Sequence, residues 1–193
     1  SIELSEMLKN YKVENGKRCN YSIDYVPKID CFEKKEFFLH PYVVGALIGD
    51  GGLTSGSVLL SSVDKELLDK FDSFLPDGYN LKFKERCTYS INGHEGNNAK
   101  AGSLARKELD RLGLFGKKSI DKFIPKDYLY GSYEQRLWLL RGLMDTDGSA
   151  SKSYCTYATI SEQLADDVCE LVHSLGGYAS KNKRKAGYKK NGR

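Results

Sequence analysis

Two short stretches of this chain close on an acid and a glycine, and their residue types suit one chemistry. Residues 43–52 read VVGALIGDGG and residues 140–149 read LRGLMDTDGS. Each is an apolar run with an internal glycine, Gly45 or Gly142, that ends in Asp50 or Asp147 and then Gly51 or Gly148. If the runs are helices, both carboxylates sit at C-terminal ends, where the macrodipole is negative and cations are preferred. Side by side they need a neutralising charge. Carboxylate and water ligation favours the hard ion magnesium over zinc. A magnesium held by Asp50 and Asp147 would polarise a phosphodiester and activate water.

The two stretches belong to a longer repeat. A shift of 97 residues superposes Gly45 on Gly142, Asp50 on Asp147 and Gly51 on Gly148, and it lays residues 61–75 on residues 158–172 without a gap. Val63, Leu67, Phe71 and Phe74 then fall on Ile160, Leu164, Val168 and Leu171, at the spacing of one helix face. Glycine inside a helix costs about 1 kcal/mol relative to alanine. Its occurrence at Gly45 and again at Gly142 predicts that the two helices pack closely and bring their acidic ends together. Asp145 matches Ile48 across the repeat and reads as a cap or a surface charge.

A third similarity, at an offset of 99, pairs LKFKERC (81–87) with SKNKRKA (180–186). Alternation places Lys82, Lys84 and Arg86 on one face of a strand, and Lys181, Lys183 and Lys185 on one face of another. The formal charge is only +4, yet seven cations and no acids fall between Gly176 and Arg193, so the basic surface is local. Such a patch suits an extended polyanion.

The elements that must hold these residues are readable in outline. A helix begun by Pro41 leads to the first acid; a short strand near SVLLSS, a helix from Asp64 to Leu75, the cationic strand and a helix from about Ala101 to Leu112 follow. Ser132 and Gln135 form a capping box for the second acidic helix. Strand material in KSYCTYATIS, a helix from about Glu162 to Leu175 and the second basic strand complete the sequence. Five cysteines (Cys19, Cys31, Cys87, Cys155, Cys169) without C-x-x-C spacing argue against a disulfide framework or structural zinc. His40, His94 and His173 lack ligand spacing and read as structural. No signal peptide or membrane-length apolar run is present, and a soluble intracellular protein is expected.

VVGALIGDGG and LLRGLMDTDG resemble the two copies of the LAGLIDADG (dodecapeptide) motif, and their spacing resembles the monomeric, two-repeat homing endonucleases of inteins. The resemblance extends over about residues 25–193. It implies an α+β fold of two pseudo-symmetric αββαββα repeats with saddle-shaped antiparallel sheets and the motif helices at the interface. The corresponding division is a connector at 1–38, a first repeat at 39–131 and a second at 132–193 that stops short of its last helix. The resemblance implies double-stranded DNA as partner, a divalent ion, Mg2+, on Asp50 and Asp147 with the preceding Gly49 and Thr146 in the metal site, and a monomer. DKFIPKDYL supplies the K-x-I-P segment of intein members as Lys122, Phe123, Ile124 and Pro125, which implies Lys122 as a catalytic lysine. The second-repeat counterpart falls near Lys189 or Lys190 or beyond. Base contacts are expected from the sheet cations, with Ser57, Leu59, Ser61, Tyr154 and Thr156 as further candidates.

The resulting expectation is a site-specific endonuclease that makes a double-strand break in a long, asymmetric target. A catalytically inactive DNA- or RNA-binding module of the same fold, a regulator or maturase, is the alternative, and a small-molecule phosphatase fits the cationic strands less well. The segment NYSIDYVPKIDCFEKKEFFLHPY resembles the connector to an intein splicing domain. No T-x-x-H element and no terminal His-Asn pair occurs, so this chain alone is not expected to splice.

Overall fold

The computed structural model describes residues 3–12, 18–21, 27–54, 56–93 and 102–184. In chain order the elements are α1 (Leu4–Lys9), α2 (Pro41–Asp50), β1 (Gly51–Gly52), β2 (Leu59–Ser61), α3 (Lys65–Ser73), β3 (Tyr79–Glu85), β4 (Thr88–Gly93) and α4 (Gly102–Arg111). A 3-10 turn at Ser119–Asp121 leads to α5 (Lys126–Leu129), α6 (Tyr133–Asp147), β5 (Gly148–Ala150), β6 (Cys155–Tyr157) and α7 (Glu162–Ser174). The architecture is α+β, with one antiparallel sheet ordered β1-β2-β4-β3 and a separate β5-β6 hairpin. Among the described residues no helix is long and apolar enough to cross a membrane.

At the centre α2 and α6 lie backbone to backbone. A methyl group on Gly45 would overlap the Leu139 carbonyl oxygen, and one on Gly142 would overlap the Tyr42 carbonyl oxygen. The contact is reciprocal, since Tyr42 and Leu139 are also 97 residues apart, and it gives the reason for glycine at both places. Tyr42, Val43, Val44, Ala46 and Leu47 are fully buried. That all-round apolarity is what a helix needs when it is covered on every side. Pro41 opens α2, and the Ser132–Gln135 capping box opens α6.

The flanking helices α3 and α7 begin at caps 97 residues apart. Asp64 accepts from the Glu66 and Leu67 amides, and Ser161 accepts from that of Leu164. Leu67, Phe71, Leu164, Val168 and Leu171 are buried as the helical spacing predicts. Val63 and Ile160 are not: each precedes its cap, lies outside the helix and is strongly exposed, at 89% and 70%. The hairpins after the two acids share one register under the same shift, with Gly51 opposite Leu60 and Gly148 opposite Tyr157.

Residues 27–38 carry no regular element but are firmly docked. The Ile29 amide donates to the Ser174 carbonyl over 2.9 Å, Phe37 stacks on Tyr128, and Gln135 exchanges hydrogen bonds with the Lys35 backbone. Beneath them Arg136 is fully buried. Its guanidinium donates to the carbonyls of Gly131, Ser174 and Ile29, so the buried charge has the dense hydrogen bonding it requires.

Candidate functional site

The ends of α2 and α6 meet. A methyl group on Gly49 would overlap Thr146 Oγ1 and would lie 3.4 Å from Asp147 Oδ2. Gly49 and Thr146 occupy matching places in the repeat, so the glycine vacates the space that the threonine fills. Thr146 Oγ1 in turn donates to the carbonyls of Leu143, at 2.8 Å, and Gly142, at 3.2 Å. Asp50 and Asp147 close the two helices. Burial pushes the Asp50 carboxyl above its ordinary value, with Lys122 pulling it back. Asp147 is raised by burial and then by the neighbouring Asp50, again opposed by Lys122. The carboxylates therefore sense each other and share one cation.

That cation changes the account of the acidic ends. Lys122 is buried at 4% exposure, and its ammonium donates to the carbonyls of Gly49 (2.9 Å), Gly51 (3.1 Å) and Leu47 (3.3 Å). It caps the α2 terminus, where a positive charge is favoured. Burial lowers its pKa, while Asp147 and then Asp50 raise it. The positive charge that the sequence seemed to lack at Asp50 is partly internal, supplied from 72 positions further along the chain.

The loop bearing Lys122 is held from the other half of the molecule. Ser161 Oγ, which caps α7, donates to the Lys122 carbonyl over 2.6 Å. The Ile124 amide donates to Asp167 Oδ2 over 2.8 Å, and Gln163 donates to Asp167 Oδ1. Ser161 and Asp167 are buried, at 1% and 6%. Ser161, a serine just before the helix start, has the residue type of a cap, though it was not read as one. Asp167 stands on the buried face of an amphipathic helix and gave a signal only as an acid where leucine would be expected.

Asp145 is neither a cap nor a free surface charge. It accepts from Tyr42 Oη over 2.8 Å and pairs with Lys70 at 2.9 Å, tying α6 to α2 and α3. Ile48, its counterpart in the repeat, is buried. His40 stacks on Phe74 with its Nδ1 accepting from the Tyr42 amide, and burial lowers its pKa. His173 bonds to Ala179; both are structural. His94 lies outside the described residues.

The cationic strands are only partly as expected. In β3, Leu81 faces the core opposite Ile91, and Lys82 faces away with Leu59 across the sheet. The register shifts between Phe83 and Glu85, so Glu85 stands opposite Thr88 and Lys84 is the extra residue. Arg86 follows with φ of 52° in the turn. The bulge thus breaks the simple alternation that would have put Lys82, Lys84 and Arg86 on one face. The outer face instead carries Leu59, Ser61, Lys82 and Thr88, with Asn80 and Asn92 along it; β4 and its residues were not read from the sequence. Ser57 precedes β2 and is half-buried.

In the second half, Thr156 faces away from the core side, its hydroxyl 3.1 Å from that of Ser149. Tyr154 lies in the hairpin turn, 65% exposed. Residues 178–184 form no strand. Lys181 pairs with Asp166 and Lys183 with Glu162 at 3.7 Å, so both lie along α7. Where β3 is held by six pairings to β4, this stretch has no strand beside it among the described residues, and a strand without a partner does not persist. Lys185, Lys189 and Lys190 lie outside the described residues.

Two carboxylates at paired helix ends, both raised by burial and Asp147 also by the charge of Asp50, suit a hard divalent cation with water completing its shell. Among the described residues no group of three or more His, Cys, Asp or Glu is gathered. The Gly49 carbonyl is engaged by Lys122, which leaves the carboxylates as the stronger donors.

Residues 134–193 match the sequence model of the LAGLIDADG-like domain. The match supports a place in the LAGLIDADG family. Beyond it, the chain is 30% identical over 161 residues to a replicative DNA helicase DnaB of Mycobacterium intracellulare, covering 83% of this chain and 23% of that protein. Proteins of the same name from Nostoc sp. and Synechocystis sp. are 39% and 36% identical over 77 residues, 36% of this chain and 9% of theirs. The chain thus spans under a quarter of the length of the relatives it matches.

Proposed function

We propose that this chain is a site-specific DNA endonuclease of the two-repeat LAGLIDADG type, cutting both strands by divalent-metal-assisted hydrolysis. The observation that carries the reading is the convergence of Asp50 and Asp147 at the ends of two helices in backbone contact, with the Lys122 ammonium bonded at the α2 end and within the field of both acids. Reciprocal glycine contacts, matched caps at Asp64 and Ser161 and matched hairpin registers support two related halves, at 39–131 and 132–193. Asp50 and Asp147 would hold a Mg2+ ion, with Gly49 and Thr146 shaping the space around it. A bound Mg2+ supplies Lewis acidity at the scissile phosphate and lowers the pKa of a bound water.

The chain's own residues do the rest. Lys122 keeps both carboxylates ionised against burial, and on DNA binding it exchanges one of its carbonyls for the attacking water or a phosphate oxygen. The outer sheet face of Leu59, Ser61, Lys82 and Thr88, with Thr156 on the second hairpin, meets the bases. Lys84, Arg86, Lys181, Lys183 and Lys185 neutralise phosphates. Because the halves differ, the target is asymmetric. The helicase relatives are far longer, so the matched segment is read as a nuclease inserted in such a host as part of an intein, acting as a monomer, with residues 1–38 forming the connector.

A second reading has its own observation. All three hydrogens of the Lys122 ammonium are spent on the carbonyls of Leu47, Gly49 and Gly51 at and just past the α2 end, which suits a chain that binds DNA without cutting. Cleavage of a plasmid library with randomised inserts, in Mg2+, separates the two. The nuclease linearises a subset of plasmids, while Asp50→Asn and Asp147→Asn bind and do not cut; a wild type that binds DNA but cuts under no divalent ion is the binding module.

A further inference from the structure

Tyr157 is a polar side chain near the carboxylates that neither the motif nor the proposed machinery uses. It lies in β6 opposite Gly148, the residue after Asp147, and the next amide, that of Ala158, donates to the Asp147 carbonyl over 3.2 Å. Alternation puts it on the face opposite the Ser149–Thr156 hydroxyl pair, packed against the core beside the helix ends. The phenol oxygen is buried there with no hydrogen-bond partner among the described residues. Buried hydroxyls are nearly always satisfied, and an orphan among otherwise bonded neighbours points to a partner that arrives with function. The charges that act on it are identified: burial raises its pKa first, followed by Asp147 and then Asp50. In the first half the matching position is Leu60, fully buried and apolar, and there the Lys122 ammonium fills the space beneath the helix end. The polar group therefore exists on one side only.

We infer that the Tyr157 hydroxyl is a positioning donor on the Asp147 side of the site, hydrogen-bonding a water oxygen carried by the cation that Asp50 and Asp147 hold. The inference rests on the metal-site reading above and adds a residue to it. Outer-shell donors of this kind orient a ligand and typically change metal affinity or activity by about 10- to 100-fold. Because Leu60 offers no such donor, the effect belongs to one half of the site and thus to one DNA strand.

The test is Tyr157→Phe in the full chain, which keeps the ring and removes only the oxygen. Mn2+ titration by calorimetry, without DNA, is expected to show affinity weakened about 10-fold, while the metal-free protein unfolds at a higher temperature because a buried unpaired hydroxyl is gone. A merely structural tyrosine would give the opposite pair of results, lower stability with unchanged Mn2+ affinity, and either unchanged affinity or a wild type that binds no Mn2+ overturns the inference. Strand-resolved cleavage at saturating Mn2+, where the weaker affinity no longer limits either strand, adds a second signature: Tyr157→Phe slows one strand and accumulates nicked product, whereas equal slowing of both strands contradicts a one-sided role. If wild type cuts nothing, the nuclease reading fails by itself, and the Mn2+ titration still decides the role of Tyr157.

Discussion

At the end of α2 the carbonyls of Leu47, Gly49 and Gly51 converge on the Lys122 ammonium; at the end of α6, the Thr146 hydroxyl serves the carbonyls of Gly142 and Leu143, and the Tyr157 phenol stands unpaired nearby. The two ends have the same motif, the same following hairpin register and the same terminal acid. They differ in where the compensating groups come from. The first end is completed by a distant residue on a loop that Ser161 and Asp167 of α7 hold in place, so the first half's site is built by the second half. The second end is completed locally. Similar sequence motifs thus end in surroundings of unequal charge, and the two acids are brought together only because the helices touch at backbone distance.

The strongest way to break the comparison is to separate the helices. Gly142→Val would force the Tyr42 carbonyl away, and a loss of about 3 kcal/mol or more in urea unfolding is expected. Next in size is the contrast between the two ends. Lys122→Met strands three carbonyls and is expected to cost about 2–3 kcal/mol, whereas Thr146→Val, which removes a local hydroxyl, costs about 1 kcal/mol or less; equal losses would show that the ends are completed alike.

The carboxylates give a smaller effect of opposite sign. Both have folded pKa values raised above the ordinary 3.8. A raised group contributes stability that is present below its ordinary pKa and is lost as pH rises through its folded pKa. Without divalent ions, the wild type should therefore gain stability as pH falls from neutral toward the carboxylate range, relative to the Asp50→Asn/Asp147→Asn double variant, and each single variant should be more stable than wild type at pH 7. Thermal unfolding across that range measures it. Smallest is Lys183→Ala, which loses only an exposed pair with Glu162; a shift within about 0.5 kcal/mol is expected.

The helices and their caps were legible because periodicity and capping are local. Pro41, the Ser132–Gln135 box and the buried faces of α3 and α7 all follow from spacing within a few residues. Gly45 and Gly142 were legible for another reason: a costly residue repeated at one place in two copies signals a contact. What escaped were features set by distant partners. Lys122 as an α2 cap depends on a loop crossing from one half to the other, and the bulge at Lys84 depends on how β4 turns back. Whether residues 178–184 form a strand depends on a neighbour rather than on the alternation of lysines, and among the described residues none is beside them. Val63 and Ile160 were assigned to a helix face because the period continued through the caps, while the backbone did not.

The most direct test of the central claim, that Asp50 and Asp147 form a single cation site, is a double-mutant cycle on Mn2+ binding with wild type, Asp50→Asn, Asp147→Asn and the double variant. One shared site predicts that each single variant loses nearly all of the affinity and the double variant loses little more. Independent losses that add, or a single variant that binds as wild type does, would contradict it.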